Sequence, residues 1–150
     1  MNLKFSEKFE FHFIGEGTKL IPLKFENVFL HGQKSDLKEI CSIIDECDCI
    51  VLPSYAEGMP MVIIEAMARG LVVIASDVGA TRELIKKNGF LLNAPADLQS
   101  AMEKLLMASD IELIQMKNNS LKLVNEKYNL QHMTDSVIQD FKLRLNSKII

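Results

Sequence analysis

The chain has 150 residues, 48% hydrophobic and 25% charged, with 17 basic against 20 acidic side chains for a net charge of −3. That length suits one domain with a buried core, and the composition lies outside the disordered range. The acidic balance argues against a nucleic-acid partner, which needs a basic face, and no apolar run is long enough to cross a bilayer.

In chain order, Phe9–Ile14, Val28–Leu30, Cys49–Leu52, Val72–Ser76 and Phe90–Leu92 are predicted as short strands. Their weak alternation predicts burial of most of them on both faces. The connection between Gly17 and Val28 is shorter than a full crossover and contains Pro22, which predicts an irregular turn or clipped helix. Ser35-Asp36 starts a helix carrying Leu37, Ile40, Cys41, Ile43, Ile44 and Cys47. Met61–Arg69 is a second helix closed by Gly70, and Thr81–Lys87 a third closed by Asn88-Gly89. Strand–helix alternation predicts parallel pairing in a doubly wound sheet. From Asp97 onward only helical patterns follow, with Asp97 and Asp110 as predicted caps and a last helix from about Leu130 to Leu145.

The cysteines, Cys41, Cys47 and Cys49, lack CxxC spacing, which argues against a zinc knuckle or disulfide framework and for a reducing cytoplasm. The first residues are too charged for a signal peptide. His12, His31 and His132 lie far apart and form no ligand cluster, so no metal or other cofactor is expected. A lone His31 at a strand end is more often structural.

In open α/β sheets, ligands sit at the carboxyl ends of strands. The loop from Pro53 to Pro60 is the informative one. Pro60 suits a first helical position, Gly58 permits a turn and a close ligand, and the amides of Met61 and Val62 suit an anion such as phosphate. Glu57 at the rim would repel that anion directly, so it suits hydroxyls attached to it. Glu65 is the only charge in the apolar helix Met61–Ala68, which predicts burial and therefore a partner. That partner is either Arg69 or Arg82, or two vicinal ligand hydroxyls such as a ribose. Met59, Met61 and Met67 read as packing, Gly79 as helix-start geometry, and Lys86-Lys87 as a solvated helix end. Gly15-x-Gly17 without a third glycine is weak evidence for phosphate, and no P-loop or GxSxG elbow is present.

Together, Val51-Leu52-Pro53-Ser54, Glu57-Gly58-Met59-Pro60 and Ile64–Gly70, then Val72–Ser76, Val78-Gly79, Glu83–Ile85 and Asn88-Gly89, resemble the C-terminal domain of retaining GT-B glycosyltransferases of group one. Glu57 and Glu65, with seven residues between them, match the family's Glu-x7-Glu motif. The resemblance covers about Phe11 to Leu106 and continues weakly beyond. It implies a Rossmann-like three-layer α/β/α fold, with a mainly parallel sheet and a helical tail at 110–150. It also implies a nucleotide-diphosphate sugar donor and retaining, metal-independent hexose transfer. Glu57 would lie by the transferred hexose as a catalytic or positioning carboxylate. Gly58, Met59, Pro60, Met61 and Val62 would hold sugar hydroxyls and the distal phosphate. Glu65 would hold the ribose, Gly15 and Gly32 would line the donor site, and the Phe29–Lys34 loop would lie along the base.

Family members usually carry one more β–α unit ahead of the Gly15 strand, with an Arg and a Lys for the diphosphate, and a whole N-terminal acceptor domain. Neither is in these residues, so a truncated single domain, inactive alone, is expected. The last helix, with Met133, Val137, Ile138, Phe141 and Leu145, is expected to dock on its own domain, fray, or pair in a dimer. The protein is expected in the cytoplasm or peripherally at the inner membrane face, with membrane contact left open. A non-catalytic binding or interaction module and a sugar-nucleotide epimerase are the alternatives.

Overall fold

Every strand pair among the described residues is parallel, as strand–helix alternation requires. The structure, a computed structural model, describes residues 8–20, 25–129, 134, 138 and 139. The chain falls into two compact units, Met1–Glu46 and Cys47–Ile150.

In the first unit, β1 (Phe11–Ile14) pairs with β2 (Val28–Gly32), and a bulge sets Ile14 opposite Gly32. The short connection holds a 3-10 turn, Glu16–Leu20, where the Thr18 hydroxyl and amide both donate to the Gly15 carbonyl, at 2.8 and 3.3 Å. Helix α1 (Leu37–Asp45) starts at Asp36, whose carboxylate accepts from the Lys38 amide at 2.8 Å. That start signal was legible.

Strand pairing also joins two histidines that sequence distance separates. His12 Nδ1 and His31 Nε2 lie 3.0 Å apart with stacked rings, and His12 stacks on Phe29 with centroids 4.8 Å apart. His31 is therefore not a lone histidine. A hydrogen bond between two ring nitrogens requires one neutral ring. Burial, then the charges of His12 and Lys34, hold the His31 pKa below its usual value.

In the second unit, β3 (Cys49–Leu52), β4 (Val72–Ser76) and β5 (Gly89–Leu92) lie in the order β3-β4-β5. Helices α2 (Met61–Ala68) and α3 (Thr81–Leu84) link them, and α4 (Leu98–Met107) and α5 (Asp110–Leu123) follow. A π turn, Val124–Tyr128, ends this helical stretch. The result is the predicted Rossmann-like α/β architecture. Its core gathers Ile63, Ile64 and Met67 from α2 with Val73 and Ala75 of β4, Leu84 of α3 and the adjoining Ile85. Gly89 is required at the edge of this packing, since a Cβ there would lie 1.8 Å from the Val73 carbonyl oxygen.

Among the described strands only β4 is buried along its whole length, because it has a strand on each side. Strands β1 and β2 are partly exposed and β3 is half-buried, which corrects the expectation of burial on both faces. Helix α3 stops at Leu84 instead of reaching Lys87 because the buried Asn88 side chain competes for its backbone. Asn88 accepts from the Lys86 amide at 2.8 Å and donates to the Leu84 carbonyl at 3.1 Å and to Ser120 at 3.3 Å. Ser120 in turn donates to the Leu71 carbonyl at 2.6 Å, so α5 turns Ser120 inward and leaves Ile111 and Ile114 exposed. Asp97 stands at the N-cap of α4 as predicted, but its carboxylate accepts from the Ala94 amide in the 3-10 turn Pro95–Asp97 and not from the helix it precedes. The cap of α5 is Ser109, in a capping box with Glu112, and not Asp110.

The predicted last helix, and with it the dimer contact, lies outside the described residues apart from 134, 138 and 139. Among the described residues no helix is long and apolar enough to cross a membrane.

The His31 shift fixes a pH dependence. Below the ordinary value of 6.5, the unfolded chain takes up a proton that the folded imidazole resists, so folding of the first unit weakens as pH falls. The urea midpoint of the β1–β2 resonances should drop as pH is lowered through 6.5. A flat midpoint would contradict the pairing.

Candidate functional site

Parallel pairing places the loops that follow β3 and β4 at the same end of their sheet. The first loop carries Glu57. Its half-buried carboxylate accepts from the Ser54 hydroxyl at 2.6 Å, which fixes one oxygen and leaves the other open. Ser54, unremarkable as a nucleophile, is thus the residue that orients Glu57. Only the Ser-x-x-Glu spacing hinted at it.

Pro60 is buried with an extended backbone and stands at the cap of α2 rather than at its first helical position. Proline has no side-chain acceptor, so no side chain caps this helix and no acidic residue occupies its first turn. The amides of Met61 and Val62 therefore point out of an uncapped, positively polarised end. Gly58 does not adopt a left-handed conformation, so the turn itself does not need glycine. Open space surrounds the position of its absent Cβ, which keeps the approach to these amides clear.

The burial predicted for Glu65 is wrong. Helix α2 covers the sheet with Ile63, Ile64, Ala66 and Met67, and leaves Met61, Val62 and Glu65 exposed. The apolar character of Met61 and Val62 misled the sequence reading, because a short helix over one sheet buries one side only. Of the three methionines whose pattern predicts packing, Met67 is fully buried, whereas Met59 and Met61 are 44% and 54% exposed. Tyr55, 88% exposed, extends this apolar rim. The arginines expected to neutralise Glu65 do not do so. Arg82 pairs with Asp77, and among the described residues Glu65 makes no hydrogen bond or ion pair. It stands one turn beyond Met61 on the exposed side of α2, open to a ligand.

The second loop, after β4, presses on the first. Gly79 has φ +55°, and a Cβ there would lie 2.1 Å from the Glu57 carbonyl oxygen and 2.5 Å from that of Gly58. The Ala80 amide donates to the Gly58 carbonyl at 2.9 Å. Gly79 therefore serves more than the start of α3. In the first unit, Gly15 and Gly32 meet at the ends of β1 and β2, where the Gly15 amide donates to the Gly32 carbonyl at 2.9 Å. Among the described residues no three His, Cys, Asp or Glu side chains are grouped to hold a metal ion. Burial, helped by the nearby Asp48 charge, pushes the Cys49 thiol up to about 12, which keeps it protonated and unreactive.

An uncapped helix end, an oriented carboxylate beside it and a second carboxylate one turn along the helix define the site. Residues 2–108 match the family of glycosyl transferases group 1. The chain belongs to this family. It is 36% identical over 93 residues to TuaC of Bacillus subtilis, a glycosyltransferase named for teichuronic acid biosynthesis, covering 62% of this chain and 24% of TuaC. It is 29% identical over 140 residues to an Escherichia coli UDP-Gal:alpha-D-GlcNAc-diphosphoundecaprenol alpha-1,3-galactosyltransferase, covering 85% of this chain and 35% of that enzyme. Among solved structures, the C-terminal domain of the group 1 glycosyl transferase LpcC from Francisella tularensis matches with a TM-score of 0.62 and 28% identity, covering 70% of this chain and 55% of that domain. The chain thus spans between a quarter and about a third of these two curated relatives.

The geometry separates the two carboxylates. Ser54→Ala should lower stability by about 1 kcal/mol, through loss of a hydrogen bond to a charged group. Glu65→Gln has no partner to lose and should stay within about 0.5 kcal/mol of wild type. Urea denaturation of both variants checks this, and equal losses would contradict the assignment.

Proposed function

We propose that these residues form the donor-binding part of a hexosyltransferase that uses a nucleotide-diphosphate sugar, transfers with retention and needs no divalent metal. The observation that carries this is the uncapped start of α2 with Glu57 held beside it by Ser54. The distal phosphate is bound by the amides of Met61 and Val62 and by the helix end. Glu57, fixed on one oxygen, accepts from hexose hydroxyls and stands by the reacting carbon as the catalytic or positioning carboxylate. Glu65 accepts from the two ribose hydroxyls, for which an exposed carboxylate without a protein partner is suited. For the first unit, taken by itself, the family resemblance assigns Gly15, Gly32 and the residues from Phe29 to Lys34 to the nucleotide.

As the donor bond breaks, negative charge grows on the leaving diphosphate, and preorganised amides stabilise it without reorganising. Retention is supported by the resemblance to retaining members through the Glu-x7-Glu pair. Acceptor choice belongs to an N-terminal domain, so the 150 residues bind donor without transferring sugar. The Escherichia coli relative is named for a lipid-linked acceptor, and we place the whole protein in the cytoplasm, at the inner membrane face where its acceptor is of that kind.

Calorimetric titration with UDP tests the donor role. Wild type should bind, and Glu65→Gln should weaken binding about tenfold, the loss expected for charge-assisted hydrogen bonds. No binding at millimolar UDP, or equal binding by both proteins, would overturn the ribose assignment.

A further inference from the structure

We propose that the turn from Asp77 to Arg82 is a brace that aims Glu57, with Gly79 and Arg82 as positioning residues. This deepens the donor-site reading above and rests on it.

Apart from the Ser54 hydrogen bond, what fixes Glu57 is its backbone, and that backbone rests on the turn. The Glu57 and Gly58 carbonyls occupy the space that a side chain on residue 79 would need. The Ala80 amide holds the Gly58 carbonyl at 2.9 Å. The turn is itself anchored where it leaves β4, since the Asp77 amide donates to the Leu92 carbonyl at 2.8 Å and joins it to the end of β5. It is closed internally by the buried Thr81, whose amide donates to the Val78 carbonyl at 3.2 Å. Across the turn, Arg82 Nε donates to Asp77 Oδ1 at 3.0 Å and Arg82 Nη2 to Asp77 Oδ2. A two-pronged guanidinium–carboxylate pair fixes direction as well as distance. Asp77 is largely buried in this pair, with 22% side-chain exposure, while Arg82 is 66% exposed and serves as the outer prong. Toward the first loop the turn's contacts are with Glu57 and Gly58, so Gly79 and Arg82 act through Glu57 and not on substrate.

A brace of this kind has a selective signature. Glu57 faces the sugar in the donor-site reading, whereas UDP alone does not engage it. UDP and UDP-galactose are therefore titrated into the 150-residue chain and into its Gly79→Ala, Arg82→Ala and Arg82→Lys variants. The ratio of UDP-galactose affinity to UDP affinity should fall about tenfold in Gly79→Ala, the equivalent of one charge-assisted hydrogen bond. In Arg82→Ala it should fall about two- to threefold, because the pair is partly exposed. Arg82→Lys should recover part of the loss while UDP affinity stays at the wild-type level. An unchanged ratio, or parallel loss of both ligands, overturns the brace. If neither ligand binds wild type, the donor-site reading has failed, and the brace is then judged alone by NMR. Arg82→Ala must shift the Glu57 and Gly58 amide resonances, and unshifted resonances overturn it, including where Gly79→Ala does not fold.

Discussion

The contact of Gly79 with the carbonyls of Glu57 and Gly58 is the constraint from which the site follows. Two loops, after β3 and β4, can share the end of one parallel sheet only if one yields space to the other. Gly79 yields it by having no side chain. The loop that gains the space is tied to its neighbour by the Ala80–Gly58 hydrogen bond and carries Glu57 next to an uncapped helix terminus. A carboxylate and a diphosphate repel, so in the proposed donor site the position of Glu57, set by Ser54 and the backbone, is what lets both be held side by side.

The electrostatics of the second unit divide the labour between backbone and side chains. Helix α2 supplies positive polarity through amides that no cap neutralises, and its first turn carries no acid. Glu65 lies one turn further along the exposed side, the position that the proposed donor site gives to a partner of ribose hydroxyls rather than of phosphate. The same helix buries Ile63, Ile64 and Met67 in the core. Core packing therefore sets the direction of the amides, and a change in the packing of α2 would reach the site through its axis.

Much of this was legible from sequence, and the failures have physical causes. The order and parallel pairing of the strands followed from apolar runs alternating with helical spacing, and Glu57-Gly58-Met59-Pro60 marked the loop and helix start. Glu65 was misjudged because Met61 and Val62 look like core residues, yet a helix laid over one sheet exposes its far side whatever its composition. In α5, too, Ile111 and Ile114 stay exposed because a hydrogen-bonded Ser120 takes the inward position. Pairings between residues distant in the chain were out of reach. His12 with His31 depends on strand register, and Asn88 with Ser120 on the packing of a later helix. Gly79 stood out as a glycine, but its reason is a neighbour twenty-odd positions earlier, which no local pattern reveals.

The central claim is that the start of α2 and the Glu57 loop receive an activated sugar. The most direct measurement is amide mapping by NMR during addition of UDP-galactose to the isotopically labelled chain. The account predicts the largest changes at Glu57, Gly58, Met61 and Val62, with smaller ones at Gly79 and Ala80. Saturable changes concentrated elsewhere, for instance around Lys86, Asn119 and Lys122, with these amides still, would contradict it.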